Sequence, residues 1–121
     1  MLDTFGQATG LPTLTLIGVP LSESPIQHIN NALQLLSLLR EMSPATWALN
    51  PELEATVRRA EAARTTIEHH APPWCAARHV QRAIEALLSV KLDWEVAELI
   101  PAAMARLFAA WFPLMARAEE N

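Results

Sequence analysis

Between Ala97 and Ala116, only Glu98, Arg106, Pro101 and Pro113 interrupt an apolar run that holds Leu99, Ile100, Met104, Leu107, Phe108, Trp111, Phe112, Leu114 and Met115. Wound as a helix, Met104, Leu107, Phe108, Trp111 and Met115 recur at three- and four-residue spacing and share one face. Ile100, Phe112 and Leu114 lie beside or away from that stripe, so more than half of the circumference is apolar. A surface helix seals a core with a stripe only about 100° wide. The excess has to be covered too, deep inside the protein or by another chain.

A membrane is the first alternative to weigh. The stretch from Ile100 to Ala116 is 17 residues long, with Arg106 near its middle and a proline near each end. A spanning helix wants about 20 residues, and a central Arg costs on the order of 2.5–3.5 kcal/mol on insertion scales. The expectation is therefore a helix of a soluble protein, with no membrane partner.

The rest of the 121 residues agree with a packed helical domain. Apolar residues make up 51% of the chain and charged ones 18%, which sets it apart from disordered sequences. Tyr is absent and Gly occurs three times, too few turn and β-forming residues for a sandwich or barrel. The net charge of −4 lacks the basic footprint of a nucleic-acid binder, although Arg58, Arg59 and Arg64 cluster, as do Arg78 and Arg82. A single cysteine, Cys75, forms no internal disulfide, and no basic n-region with a following apolar run opens the chain. Both point to a reduced, cytoplasmic setting.

The pattern predicts an all-α, single-domain bundle of four to five helices (residues 22–121) preceded by an extended N-terminal arm (residues 1–21). Thr13-Leu14-Thr15-Leu16 alternates like a short strand. It is expected to lie across the helices or pair with its symmetry mate in a dimer, with an irregular packed arm favoured over both. Ser24, Pro25 and Gln27 form a capping-box start for a first helix. In it Ile26, Ile29, Leu33 and Leu36 share a face that Ala32, Leu35, Leu39 and Met42 widen.

Ser43-Pro44 stops that helix and opens a short turn carrying Trp47. Asn50-Pro51, followed by Glu52 and Glu54, starts a second helix running to about His70 with Leu53, Val57, Ala60 and Ile67 inward. This one is expected to be the most exposed. A third spans about Trp74 to Val90, with Ala77, Val80, Ile84, Leu87 and Leu88 inward. Asp93 can cap a short helix over 94–100. A break at Pro101 and a last helix over 101–117, perturbed near Pro113, complete the reading.

Chemistry-bearing residues are sparse. His69, His70, Cys75 and His79 are the best constellation, because Cys75 and His79 are four apart on a helix and the His pair sits across a Pro-Pro turn. Four N/S donors suit tetrahedral zinc, but the paired-Cys spacing of a zinc finger is lacking. The same residues read better as a solvated helix end and a small buried thiol. Cys75 with His79 as a nucleophilic pair lacks an oxyanion-hole loop, and Glu95 with Glu98 reads as a solvated helix face. The expectation is no enzyme, no cofactor and no metal. Trp47, Trp74, Trp94 and Trp111 are numerous for this length; core anchoring explains any one of them, yet Trp and Met are also enriched at interfaces.

Two passages carry a resemblance. Ile17-Gly18-Val19-Pro20-Leu21 leads into Ile29-Asn30-Asn31-Ala32-Leu33-Gln34-Leu35-Leu36, and Trp74-Cys75-Ala76-Ala77-Arg78-His79-Val80 is followed by Ala83, Ala86 and Leu87. They resemble small helical bacterial proteins in which a Gly-[Val/Ile]-Pro segment enters a Leu-rich helix and a Trp-Ala-Ala segment starts a later one. Residues 43–70 depart from that short pattern and read as an insertion. In size, helical make-up and apolar C-terminal surface the chain is also similar to quorum-sensing anti-activators of the QslA type.

That resemblance implies a homodimer that sequesters a LuxR-type transcriptional regulator and blocks its dimerisation. The interface expected from the residues is Met104, Leu107, Phe108, Trp111, Phe112 and Met115. Two alternatives remain: a metal-binding protein or enzyme built on the His69/His70/Cys75/His79 cluster, and a purely structural dimer or chaperone-like module.

Overall fold

The computed structural model describes residues 15–16, 19–20, 23–90 and 98–120, and everything structural below refers to these. Two short strands, β1 (Thr15–Leu16) and β2 (Val19–Pro20), precede five helices: α1 (Pro25–Met42), α2 (Pro44–Leu49), α3 (Pro51–Glu68), α4 (Pro73–Leu88) and α5 (Leu99–Glu120). The protein is all-α, as its composition and periodicity imply.

Each helix start follows from local chemistry. Ser24 caps α1 with its side chain on the Gln27 amide at 3.3 Å, and the Gln27 side chain accepts from the Ser24 amide at 2.8 Å. This is the expected capping box, with Pro25 at the first helical position. Asn50 does start α3 but does not cap it; its side-chain amide turns back to the Thr46 carbonyl at 2.9 Å and closes α2 instead.

The four long helices close into a ring: α1 packs on α3 and α5, and α4 packs on α3 and α5. The beginning of α1, the end of α3, the beginning of α4 and the end of α5 line one shared cleft, so the helices run alternately up and down. The core is rich in alanine. Ala60 and Ala63 of α3 and Ala76, Ala77 and Ala83 of α4 are all buried, and small side chains let neighbouring helix axes approach closely. Larger residues, Ile29, Leu36, Leu39, Leu53, Val80, Leu87 and Leu107, fill the centre.

Several expectations need correction. Residues 43–70, which depart from the short pattern, form α2 and α3, and α3 is a full wall of the bundle packed along α4. Leu53, Thr56, Ala60 and Ala63 face inward there, with Val57 and Ile67 only half-buried. Thr56 enters the core because its hydroxyl donates to the Glu52 carbonyl at 2.8 Å, satisfying it within its own helix. Leu88, expected inward, is 67% exposed at the end of α4, and Met42 is 59% exposed at the end of α1.

No break occurs at Pro101. The first i→i−4 bond of α5 runs from Ala102 to the Glu98 carbonyl, so Pro101 sits in the first turn, where its missing N–H has no helical partner to lose. The helix also continues through Pro113. The expected cap Asp93 and residues 94–97 lie outside the described residues.

Thr15 and Leu16 pair as a strand with a local partner. Thr15 faces Pro20 and Leu16 faces Val19 in an antiparallel bridge. The remainder of the arm lies outside the described residues. β2 packs against α5, and α5 carries a second buried patch, Ala105 and Ala109, separate from the main core. By length and composition α5 is apolar enough to cross a membrane, a test that the core helix of a soluble protein also passes.

Candidate functional site

The circumference of α5 divides into three parts. Ile100, Ala103, Leu107, Ala110 and Leu114 recur at alternating three- and four-residue steps and form the buried seam against α1 and α4. Met104, Phe108, Trp111 and Met115 lie about a quarter-turn away, half-buried at the edge of the same core. Ala105 and Ala109 form the third, outer patch. The excess apolar surface is thus absorbed largely within the chain.

This partition sorts the expected interface residues. Leu107 is fully buried in the protein's own core and drops out as a contact residue. Met104, Phe108, Trp111 and Met115 are rim residues with one side on the core. Phe112 alone of the six stands out, 51% exposed. Its ring stacks on Phe108 at 6.2 Å and meets Trp111 edge-on at 5.2 Å, so the three aromatics form one ledge. The Trp111 indole N–H is buried and has no hydrogen-bond partner among the described residues.

Arg106, the one cation inside the apolar run, points to the α1 side. Its guanidinium pairs with the Glu23 carboxylate and reaches Nδ1 of His28 at 3.2 Å. His28 is fully buried. A guanidinium has donors only, so Nδ1 accepts and the proton of a neutral ring belongs on Nε2. Glu23 ties the residue before the cap of α1 to the middle of α5. Sequence reasoning did not single out His28. Its signal was a histidine in the Leu-rich stripe of α1, opposite a lone arginine in the apolar helix; only tertiary pairing joins positions 78 residues apart.

The proposed zinc ligands do not converge. Among the described residues no group of three or more His, Cys, Asp and Glu side chains is placed to hold a metal ion. His69 and His70 are exposed at the end of α3, and Cys75 is half-buried. His79 turns to Arg59 of α3, whose guanidinium lies 3.4 Å from Nδ1. The reason is local: the α3–α4 turn sends the His pair out of the bundle, while Cys75 and His79 lie along the α4 flank. Of the proposed carboxylate pair, Glu98 precedes α5 and Glu95 lies outside the described residues.

That α3–α4 turn has a feature of its own. The Ala71 amide donates to the Thr66 carbonyl and the His70 amide to the Ile67 carbonyl, both at 3.0 Å. These two bonds are the Schellman end of a helix, and they place His70 in the left-handed region at φ 57°. Glycine is the usual occupant; a side chain there costs about 1–2 kcal/mol.

The tryptophans differ in the same way. Trp47 is 8% exposed, with its N–H on Glu54 at 3.0 Å and the Arg40 guanidinium 5.6 Å from its ring centre. Trp74 is exposed at the start of α4, and Trp94 lies outside the described residues. The arginines make no basic field: α3 and α4 carry five Arg and five Glu between them. No protein-family model matches the chain, and no curated protein or solved structure matches it either.

Proposed function

We propose that this protein acts by contact with other proteins, as a cytoplasmic regulator without catalysis of its own. The observation that carries the reading is the Phe108–Trp111–Phe112 ledge on α5, flanked by Met104 and Met115, with Phe112 half in solvent. Aromatic and Met anchors of this kind concentrate binding energy in a few side chains. In this reading the ledge joins two copies of the chain or seats a transcriptional regulator. The resemblance of the sequence to quorum-sensing anti-activators points to a LuxR-type receptor, held away from its own dimer.

Because Phe112 is the exposed member, its replacement separates contact from folding. Light scattering on wild type and Phe112→Glu, together with co-purification of a LuxR-type regulator, tests the reading. The expected outcome is loss of the wild-type dimer or of regulator capture, with the helical circular dichroism and melting temperature retained. A wild-type monomer that captures no regulator, or a variant that keeps both associations, would overturn it. Since apolar anchors dominate, affinity is expected to change little between low and physiological salt.

A further inference from the structure

The outer face of α4 carries a stripe of its own. Trp74, Arg78, Gln81, Glu85 and Leu88 recur at four- and three-residue steps, so they share one flank, and all five are exposed. His79, which turns to Arg59 of α3, lies about 140° round the helix from the middle of that flank. The stripe therefore stands clear of α3. Trp74 and Leu88 at its two ends are 56% and 67% exposed, more than Phe112 of the ledge.

Read from either end the order is nearly the same: apolar, charged, Gln81, charged, apolar, with the two charges opposite in sign. Such a pattern is complementary to itself when reversed. Two copies of α4 laid antiparallel about a two-fold axis at Gln81 bring Trp74 of each to Leu88 of the other, and Arg78 of each to Glu85 of the other. Laid parallel, each charge would meet its own kind, which costs affinity. A two-fold contact between identical chains needs this self-complementarity.

The charges on the stripe are open to such a partner. Arg78 makes no ion pair among the described residues. Glu85 is held on its own helix by Arg82 at 3.1 Å and Gln81 at 3.4 Å, but the Arg82 pair is about half exposed on both sides and worth little. Arg78, Gln81 and Arg82 line a shallow depression at the middle of the stripe, where two guanidinium forks suit an incoming carboxylate.

We infer that α4 of a second copy of this chain docks on the stripe, antiparallel, as the homodimer contact. This deepens the contact reading by giving self-association a surface apart from the aromatic ledge. The stripe is about 21 Å long, and one helix pair of that length covers less than the roughly 800 Å² per partner of a standard interface. The dimer is accordingly weak, with a Kd on the order of 10–100 μM.

Sedimentation equilibrium of the full chain, from about 10 μM to about 1 mM, tests this. Wild type is expected to dimerise across the range. Arg78→Glu and Glu85→Arg, both at exposed positions, should each weaken the dimer about tenfold or more, because like charges then meet at two symmetric contacts. Their melting temperatures should not change. The double variant Arg78→Glu/Glu85→Arg reverses both signs and should dimerise again, as should a mixture of the two single variants. Phe112→Glu should dimerise like wild type. A wild type that is monomeric at about 1 mM, single variants that dimerise like wild type, a double variant that stays monomeric, or a dimer broken by Phe112→Glu would each overturn the proposal. Regulator capture by a monomeric chain would leave the contact reading standing without it.

Discussion

The two ends of the bundle are built differently. At the end where α1 passes through α2 into α3, Trp47 is a plug: its ring is buried, Arg40 lies over it and Glu54 takes its N–H. The polar groups around it close on one another, Ser43 on Thr46 at 2.7 Å and Asn50 on the Thr46 carbonyl. The opposite end has a cleft, a histidine in a left-handed conformation and a proline two turns from the end of α5. One end is closed by side-chain pairing around a buried tryptophan, and the other keeps an open cleft beside a backbone position that glycine would hold more easily.

The contrast is sharpest in side-chain truncations. Trp47→Ala should cost about 3–5 kcal/mol, whereas Ile67→Ala in the cleft wall, half-buried to begin with, should cost about 1–2 kcal/mol. Urea unfolding of the two variants measures both, and equal losses would erase the distinction between the ends.

Pro113→Ala comes next and should have the opposite sign. Pro113 offers no N–H to the Ala109 carbonyl, so alanine restores an i→i−4 bond and relieves the ring's clash with that carbonyl. A gain of about 1–3 kcal/mol is expected in the same denaturation experiment. No gain would mean that α5 is already bent around the proline at no cost.

Ser24→Ala should remove about 1 kcal/mol, the usual value of an N-cap hydroxyl, because the Gln27 amide then loses its partner. A larger loss, read from the melting temperature, would show that the cap also holds the neighbouring Glu23–Arg106 pair in place.

His70→Gly is the smallest change, a gain of roughly 0.5–1 kcal/mol once the added freedom of glycine in the unfolded chain is set against the relieved backbone. A loss instead would show that the imidazole makes stabilising contacts in the folded protein and would remove the case for strain at that turn.

How far the sequence could be read depended on the range of each signal. The α1 start at Ser24-Pro25-Gln27, the proline starts of α3 and α4, and the end of α3 before the Pro-Pro pair were legible, because capping and proline chemistry act within four residues; Pro44 read as opening a turn and in fact starts the short helix α2. The α5 start was not: Pro101 reads as a break or as a first-turn residue according to where the helix begins, and that is set by packing. Leu88 and Met42 matched an apolar stripe and still face solvent, since each sits at a helix end where the neighbouring helix no longer covers it. The zinc alternative failed for a related reason. Spacing places Cys75 and His79 on one flank but says nothing about which helix faces that flank, and Arg59 does.

The sequence by itself determined that this chain is a helical bundle, because composition, capping and three-to-four periodicity are local properties that a reader can sum along the chain. It also determined that the C-terminal helix needs cover on most of its circumference. Only the tertiary structure decided how it is covered: one seam lies against α1 and α4, and Ala105 and Ala109 are buried in a patch apart from the main core. It alone set Arg106 beside His28 and Glu23, and gathered His70 and Arg117 around one cleft. Helix neighbours in a ring are chosen by side-chain fit across tens of residues, and no local pattern encodes that choice.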